Sequence, residues 1–463
     1  MNGRTSRRQF LKSTVAAAGV SLLGPPVLRA QSPNGRLQLA AVAVGGMGWT
    51  TLSSIAAHPN VDVVALCDVD ENNLNKAAKT FPKARKYFDW REMLAKEEKA
   101  IEAVSVATPD HMHAPIAMTA MHMGKHVYCQ KPMTHDVFEA RQMMLTARKA
   151  GLVTQLGNQF SSGIGDRMTV QMIREGTIGK VKEAYGWSNR HGVAQYRLRG
   201  PRPAKEDPAP PGLKWDLWLG TAPVRPYANT VMVEGKELSV YHPTRWRAWQ
   251  DFGTGWGGDI GCHIFSAVFL ALGLTAPTSI SAQVEPEWAA DPARRGDLWP
   301  TWQIITYEFP GTDRTAGKTA KITWLDGEKW PSEEVHALFE NCKWPEECAI
   351  FIGEKGNLLM PHTSGPQFFP AQKYKGVKRP KLPAIDHYQS WAEACLSRQP
   401  KQPISNFDVA GPLSEAVLLG TVAARCPGQT LQWDSANLTF ANSDQANQLL
   451  RRRYRDGWTV AGL

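Results

Sequence analysis

Leu37-Gln38-Leu39-Ala40-Ala41-Val42-Ala43-Val44-Gly45-Gly46-Met47-Gly48 decides how the rest of this chain is read. The apolar run from Leu37 to Val44 has the length of one buried strand. It breaks into a glycine-rich turn, and a helix-compatible segment continues through Ala57. A second apolar run, Val61 to Leu66, leads into Cys67-Asp68, which places Asp68 20 residues beyond Gly48. Strand, glycine turn, helix, strand and acid in this register form the layout of a dinucleotide-binding βαβ unit. Glycines let the backbone approach a pyrophosphate, the helix N-terminus offers N–H groups and a positive dipole end, and the acid accepts bonds from a ribose hydroxyl. Ala43 stands where the pattern G-x-G-x-x-G has its first glycine. The expected cofactor contacts at this end are Gly45, Gly46, Met47, Gly48 and Asp68. Asp68 repels a 2′-phosphate, and Val69-Asp70-Glu71 supplies no arginine to receive one, so NAD is favoured over NADP.

The alternation continues to about residue 155. Apolar strands Val61–Leu66, Ala103–Ala107, Val127–Cys129 and Val153–Leu156 are separated by amphipathic stretches near Asn72–Lys79, Pro115–Met123 and Asp136–Ala150. Such alternation predicts an α/β fold, a doubly wound parallel sheet whose ligands lie beyond the carboxyl ends of its strands. Those ends carry Thr108-Pro109-Asp110-His111-Met112-His113 and Gln130-Lys131-Pro132. Thr108, Pro109, Asp110, His113, Gln130, Lys131 and Asn158 therefore join the expected cofactor set. Lys131 follows a buried strand directly, and Pro132 fixes the turn after it. His111 and His113 lack a nearby third ligand, and no cysteine pair has C-x-x-C spacing, so no metal is expected.

Beyond residue 155 the strands change character. Val181–Asn189, Ser279–Val284, Thr301–Phe309 and Thr319–Trp324 are β-rich and mostly unseparated by helices, which predicts a second, largely antiparallel sheet packed on helices. Residues 200–245 are a long excursion rich in proline and aromatics. Within this half, Gly257-Gly258-Asp259-Ile260-Gly261-Cys262-His263 opens an apolar helix through Leu272. Asp259 and His263 are four apart and share a helix face, where a carboxylate would orient an imidazole and raise its pKa. A helix cap and a core histidine are the plain alternative. Trp187, Trp215, Trp218, Trp246, Trp249 and Trp256 gather near Asn189, Arg190, His191, His242, Arg245 and Arg247. Flat aromatic faces beside hydrogen-bonding groups suit a carbohydrate ring, and Asn189, Arg190, His242, Arg245, Trp246 and Trp249 are the expected substrate contacts. Packing of the excursion onto the sheet is the competing use of the tryptophans, and Arg245 would also answer an acidic sugar.

The N-terminus sets an address. Ser6-Arg7-Arg8-Gln9-Phe10-Leu11-Lys12, the apolar segment Val15 to Leu23, and Leu28-Arg29-Ala30 read as a twin-arginine export signal cleaved near Ala30. The expected organisation is a signal over 1–30, a dinucleotide domain over 31–155 and a substrate and oligomerisation domain over 156–463, with the mature protein in the periplasm. The formal net charge is +10; five arginines and lysines fall in residues 1–30 with no acid, which leaves +5. Basic residues beyond the signal are dispersed, with no nucleic-acid footprint, and no further segment was expected to span a membrane. Seven cysteines are an odd number, and Cys342 and Cys348 are the pair open to a disulfide after export.

Taken in order, the glycine turn, Asp68, Thr-Pro-Asp-His-x-His, Gln130-Lys131-Pro132 and Asp259-x-x-x-His263 resemble the Gfo/Idh/MocA oxidoreductase family, which includes glucose–fructose oxidoreductase and inositol dehydrogenase. The signal, Asn406-Phe407-Asp408-Val409-Ala410-Gly411-Pro412 and Asn442-Ser443-Asp444-Gln445-Ala446-Asn447 resemble its exported branch, common in planctomycetes and Bacteroidetes. The resemblance implies a catalytic set of Lys131, His263 and Asp259. Lys131 would sit between nicotinamide and a substrate hydroxyl, with His263 as general base and Asp259 steadying it. Gln130 stands where the family has Glu. The implied function is hydride transfer from a hydroxyl of a sugar, glycoside or polyol to a tightly held nicotinamide. Two alternatives stand beside it: a redox-neutral, NAD-dependent glycoside hydrolase or lyase working through a transient keto-sugar, and a sugar-binding protein with a vestigial cofactor site. The implied partners are the twin-arginine export machinery and a second copy, paired through the C-terminal sheet.

Overall fold

The computed structural model describes residues 35–190, 198–233, 235–397 and 401–463. The twin-arginine segment, the cleavage position near Ala30 and His191 lie outside the described residues.

Six parallel strands build the first sheet: β1 (Leu37–Val42), β2 (Val61–Cys67), β3 (Arg85–Tyr87), β4 (Ala103–Val106), β5 (His126–Cys129) and β6 (Thr154–Leu156), in spatial order β3-β2-β1-β4-β5-β6. The order reverses at β1, so the crevice between the carboxyl ends of β1 and β4 is the topological switch point where such sheets bind ligands. Helices α1 (Met47–Ala56), α2 (Glu71–Thr80), α3 (Trp90–Glu97), α4 (His113–His122) and α5 (Val137–Ala150) connect the strands. Their starts follow from the sequence: Asp70, Asp89 and Asp136 each cap a helix by accepting a backbone N–H, and Glu139 closes a capping box with Asp136.

Helix α6 (Ile164–Arg174) leads into the second sheet through β7 (Val181–Ser188). The excursion then folds a small hairpin, β8 (Thr230–Val233) and β9 (Lys236–Ser239), before the long helix α7 (Gly255–Leu272). Strands β10 (Ser279–Val284), β11 (Gln303–Pro310), β12 (Thr319–Asp326), β13 (Glu347–Gly353), β14 (Asn357–Pro361) and β15 (Gln367–Phe369) follow. Helices α8 (His387–Leu396) and α9 (Phe407–Arg425) precede β16 (Thr430–Asp434) and β17 (Thr439–Phe440). The nine-stranded order is β15-β14-β13-β7-β12-β11-β10-β16-β17, antiparallel except between β7 and β12. Ala184, Gly186, Ile305, Tyr307, Ile322 and Trp324 face α7 and α9 in one continuous core.

Helices α7 and α9 are long and apolar enough to cross a membrane, which corrects the reading that no segment past the signal had that composition. Both are buried as core helices. The linear order of the two halves is not kept in space. Helix α8 returns to the first sheet, where Trp391 is fully buried with Leu39, Leu52 and Tyr128. Burying a side chain of that size contributes on the order of 2–3 kcal/mol. Arg141 on α5 grips Glu415 on α9 at 2.8 and 2.7 Å. The seven cysteines, Cys342 and Cys348 among them, are free thiols.

Asp166, in the first turn of α6, is buried in the wall of a cavity of about 480 Å³ between α6 and α7. Burial alone pushes its carboxyl up to about 7. A carboxyl raised in the folded state favours folding while protonated, and that contribution is lost as pH rises from the unfolded value near 4 through about 7. Asp166→Asn should therefore stabilise the protein at pH 8, by up to about 4 kcal/mol at 1.36 kcal/mol per pKa unit, and should leave it nearly unchanged at pH 4. Melting curves at the two pH values check this; equal shifts at both would refute it.

Candidate active site

The glycine turn is built for close approach. Ala43 holds a left-handed φ of 62°, the conformation its glycine counterpart would take without strain. A Cβ on Gly48 would lie 2.0 Å from the Ala43 carbonyl oxygen, so a larger residue there cannot keep the turn. Gly46 caps α1 at φ 51°, no side chain caps the helix, and no acid occupies its first turn. The N–H groups and positive dipole end are thus left for an anion. Ala43→Gly should relieve the left-handed strain and raise stability by roughly 0.5–1 kcal/mol; an unchanged or lower melting temperature would contradict this.

Asp68 stands at the carboxyl end of β2. Its Oδ2 accepts from Val44 N at 2.8 Å and its Oδ1 from Asp70 N at 2.9 Å, and burial pushes it up to about 6. Across the switch point, the Thr108 hydroxyl is buried without a hydrogen-bond partner among the described residues. An uncapped helix start, an acid at the β2 tip and an orphaned hydroxyl at the β4 tip fit a dinucleotide.

The excursion fastens over both strand ends. Glu71 N donates to Gly212 O and Lys214 N to Val69 O, each at 2.9 Å, and His111 N donates to Phe252 O at 3.2 Å. His242 Nε2 lies 3.2 Å from Asp70 Oδ2. His242, expected among the substrate contacts, lies at the β2 end of the crevice, near Asp68. His113 has one ring nitrogen on Pro132 O at 2.7 Å and the other on Thr108 O at 2.8 Å. It sits between the two strand-end loops, and the neutral ring donates to one of the two carbonyls.

Lys131, at the β5 end, reaches α7. Its Nζ donates to Asp259 Oδ1 at 2.7 Å and to Asp259 O at 2.9 Å, while Arg247 Nε lies 3.3 Å from Asp259 Oδ2. Burial pushes Asp259 up, but Lys131 and Arg247 outweigh it and hold the carboxylate below its ordinary range. Asp110 accepts from Thr254 N and Oγ1 with one oxygen, and its other oxygen has no partner. Burial, and then the Asp259 charge, push Asp110 up to about 7. Gln130 donates to Thr51 Oγ1 at 2.8 Å, so its neutral amide ties the loop to α1.

The contact expected between Asp259 and His263 is replaced by two others. Asp259 serves Lys131 and Arg247, and His263 is held by Asn158. Asn158 Nδ2 donates to Cys262 O at 3.0 Å, which fixes the amide's orientation because a carbonyl only accepts. Asn158 Oδ1 then faces His263 Nδ1 at 2.6 Å and must accept from it. The proton sits on Nδ1, and Nε2 keeps its lone pair. Burial, then Lys131 and His362, hold the imidazole well below its ordinary pKa, hence neutral. Asn158, expected as a cofactor contact, thus sets the tautomer of His263.

Two residues at this site were not anticipated from the sequence. The Phe160 ring meets His263 at 5.7 Å and His362 at 4.4 Å, and the two imidazoles lie 5.6 Å apart. His362 arrives from the end of β14, opposite Glu347. No local motif marks it; only the register of two distant strands brings it here. Of the expected substrate contacts, Arg190 lies nearby, paired with Glu347 at 2.5 Å. Asn189 is consumed by backbone, with Oδ1 accepting from Glu328 N and Nδ2 donating to Lys329 O. Trp246 and Trp249 are buried in the excursion's own core with Trp218, Tyr241 and Phe252, and Arg245 turns to Ser239 Oγ at 3.3 Å. Both tryptophans pack within that cluster. Among the described residues no group of His, Cys, Asp and Glu gathers with metal-binding geometry.

Comparison with known proteins bears on the fold and on the first domain. Residues 37–158 match the model of the Gfo/Idh/MocA oxidoreductase family with an NAD-binding Rossmann fold. A glycosyl hydrolase family 109 protein of Stenotrophomonas maltophilia is 28% identical over 186 residues, 38% of this chain and 40% of that protein. The chain thus spans well under half the length of that relative. Among solved structures, the WlbA dehydrogenase from Bordetella pertussis, in complex with NADH and UDP-GlcNAcA, superposes with a TM-score of 0.58 at 17% identity, covering 86% of this chain and 99% of that one. An inositol dehydrogenase homologue from Azotobacter vinelandii, complexed with NADH and myo-inositol, superposes with a TM-score of 0.55 at 15% identity, covering 86% and 98%. Both establish the two-part fold.

Proposed function

We propose, for a chain whose N-terminal domain belongs to the NAD-binding Gfo/Idh/MocA oxidoreductases, that it is an exported NAD(P)-dependent oxidoreductase acting on a hydroxyl of a sugar, glycoside or polyol. The observation that carries this reading is the 2.7 Å contact between Lys131 and Asp259, which joins the β5 end to α7 one helical turn before His263. A bound nicotinamide would supply a hydride acceptor at the carboxyl ends of the strands. Gly46 and Gly48 with the start of α1 would hold the pyrophosphate, and Asp68 would hold a ribose. Lys131 orients the substrate hydroxyl, and His263 Nε2 takes its proton, as a base contributing about 10²–10⁴-fold to the rate. Asp259 keeps the lysine in place, and Asn158 keeps the imidazole in the accepting tautomer.

NAD is favoured over NADP because Asp68 and Asp70 line the β2 tip. The twin-arginine segment supports export of the folded protein to the periplasm with its nucleotide aboard. Pairing through the open face of the second sheet, where Tyr185 and Thr306 are only half-buried, completes the reading.

A second reading, redox-neutral cleavage of a glycoside, is favoured by one observation. The excursion is fastened across both strand ends, which suits a nucleotide that is recycled in place. The glycosyl hydrolase name of a relative agrees with it. Convergence of Lys131, Asp259 and His263 speaks against a vestigial site. Acid release followed by absorbance and mass measurement should find about one nicotinamide dinucleotide per purified chain. A panel of sugars and nitrophenyl glycosides then separates the readings. Reduction with net product supports the first; aglycone release without net reduction supports the second. A chain that carries no nucleotide and none of either activity would overturn both.

A further inference from the structure

We propose that His362 is a second proton-transferring group, which removes the proton from the carbon beside a carbonyl formed at the Lys131–His263 site. This rests on the reading above and decides between its two forms. A plain alcohol oxidation needs one base. Here two imidazoles lie 5.6 Å apart, both against Phe160, and they come from different elements: His263 from α7 and His362 from the end of β14. Two such groups can serve two proton transfers on one bound ring. His263 is committed to Asn158 through Nδ1. Among the described residues the His362 ring shows ring contacts only, and its surroundings are mixed in charge: Glu347 on β13 favours the imidazolium, while Arg190 after β7 and Lys131 after β5 oppose it. Glu347 is itself fixed, accepting from Ser188 Oγ at 2.7 Å and from Arg190 at 2.5 Å.

The chemistry balances without an external reagent. In a keto-sugar the C–H bond next to the carbonyl breaks, its proton goes to the His362 imidazole, and its electron pair forms the enolate. When an oxygen leaving group stands on the next carbon, the pair returns as a C=C bond. The C–O bond then breaks, and the leaving oxygen departs with its electrons and takes up a proton. Addition of water to the C=C bond reverses the pattern. The ligand class is therefore a glycoside whose oxidised carbon lies two positions from the leaving oxygen.

The test supplies a 3-keto-glycoside directly to the nucleotide-containing protein in D2O and follows loss of the neighbouring C–H signal by NMR, a readout that needs no net redox chemistry. His362→Gln should slow the exchange by about a hundredfold or more, while substrate-dependent reduction of the nicotinamide falls by less than about tenfold. In the wild type, exchange should fall at low pH as the imidazole takes up its proton. Exchange within threefold of wild type in His362→Gln, equal losses of exchange and reduction, or a flat wild-type profile would each overturn the proposal. The last measurement holds even where His362→Gln fails to fold. A wild type that reduces its nicotinamide with a glycoside yet exchanges no proton sinks the role of His362 alone. A wild type that exchanges the proton but carries no nucleotide sinks the oxidoreductase reading and supports His362.

Discussion

Lys131→Met should lower turnover by about three orders of magnitude while the nicotinamide content of the purified protein stays unchanged. The lysine stands at the β5 tip, where its ammonium is held against Asp259 and is 14% exposed. Its position is set by α7, not by the nucleotide, so its loss removes chemistry and spares nucleotide binding. Methionine keeps the length and apolar stem but offers no donor to the substrate hydroxyl. Asp259 retains Arg247 at 3.3 Å, so the buried carboxylate keeps one partner. Breaking a buried ion pair outright costs about 3–5 kcal/mol, and the remaining guanidinium should limit the loss to the lower end. Steady-state kinetics, released nucleotide and a melting curve test the three parts separately. Wild-type turnover would remove Lys131 from the mechanism.

Asn158→Leu should cost about a hundredfold in kcat with a small change in KM. Leucine fills similar volume but cannot accept from His263 Nδ1 or donate to Cys262 O. The imidazole then has no partner that dictates its tautomer, and the lone pair needed at Nε2 is present only part of the time. Outer groups of this kind set the reactivity of the residue they hold. Asn158→Asp provides the contrast. A carboxylate at that position would favour the imidazolium, so the acid limb of the pH–rate profile should move to higher pH. If Asn158→Leu loses activity only in step with its fold, or if Asn158→Asp leaves the limb in place, the tautomer argument fails.

Much of the first sheet was legible because its signals are local. The Leu37–Val44 run, the glycines and Asp68 lie within one supersecondary unit, and Lys131 stands directly after a buried strand. The edge strand β3 was not legible, because its three residues are exposed or half-exposed and carry no apolar run. Strands β13 and β14 were missed for the opposite reason. Burial on both faces gives Cys348 to Phe351 and Leu358 to Met360 continuous apolar stretches instead of alternation. At the site, four-residue spacing placed Asp259 and His263 on one helix but said nothing of what each would face. The partners that matter, Lys131, Arg247 and Asn158, come from other elements. The excursion's tryptophans left two uses open, because an aromatic cluster reads the same in a loop core and in a sugar cleft.

The clasp of the excursion over β2 and β4 is held by the backbone. Its seams are main-chain hydrogen bonds at Val69, Glu71 and His111, so no side-chain rotation can open it. Opening the clasp takes a local unfolding event rather than a rotamer change. Dialysis should then fail to strip the nucleotide where a brief pulse of denaturant succeeds.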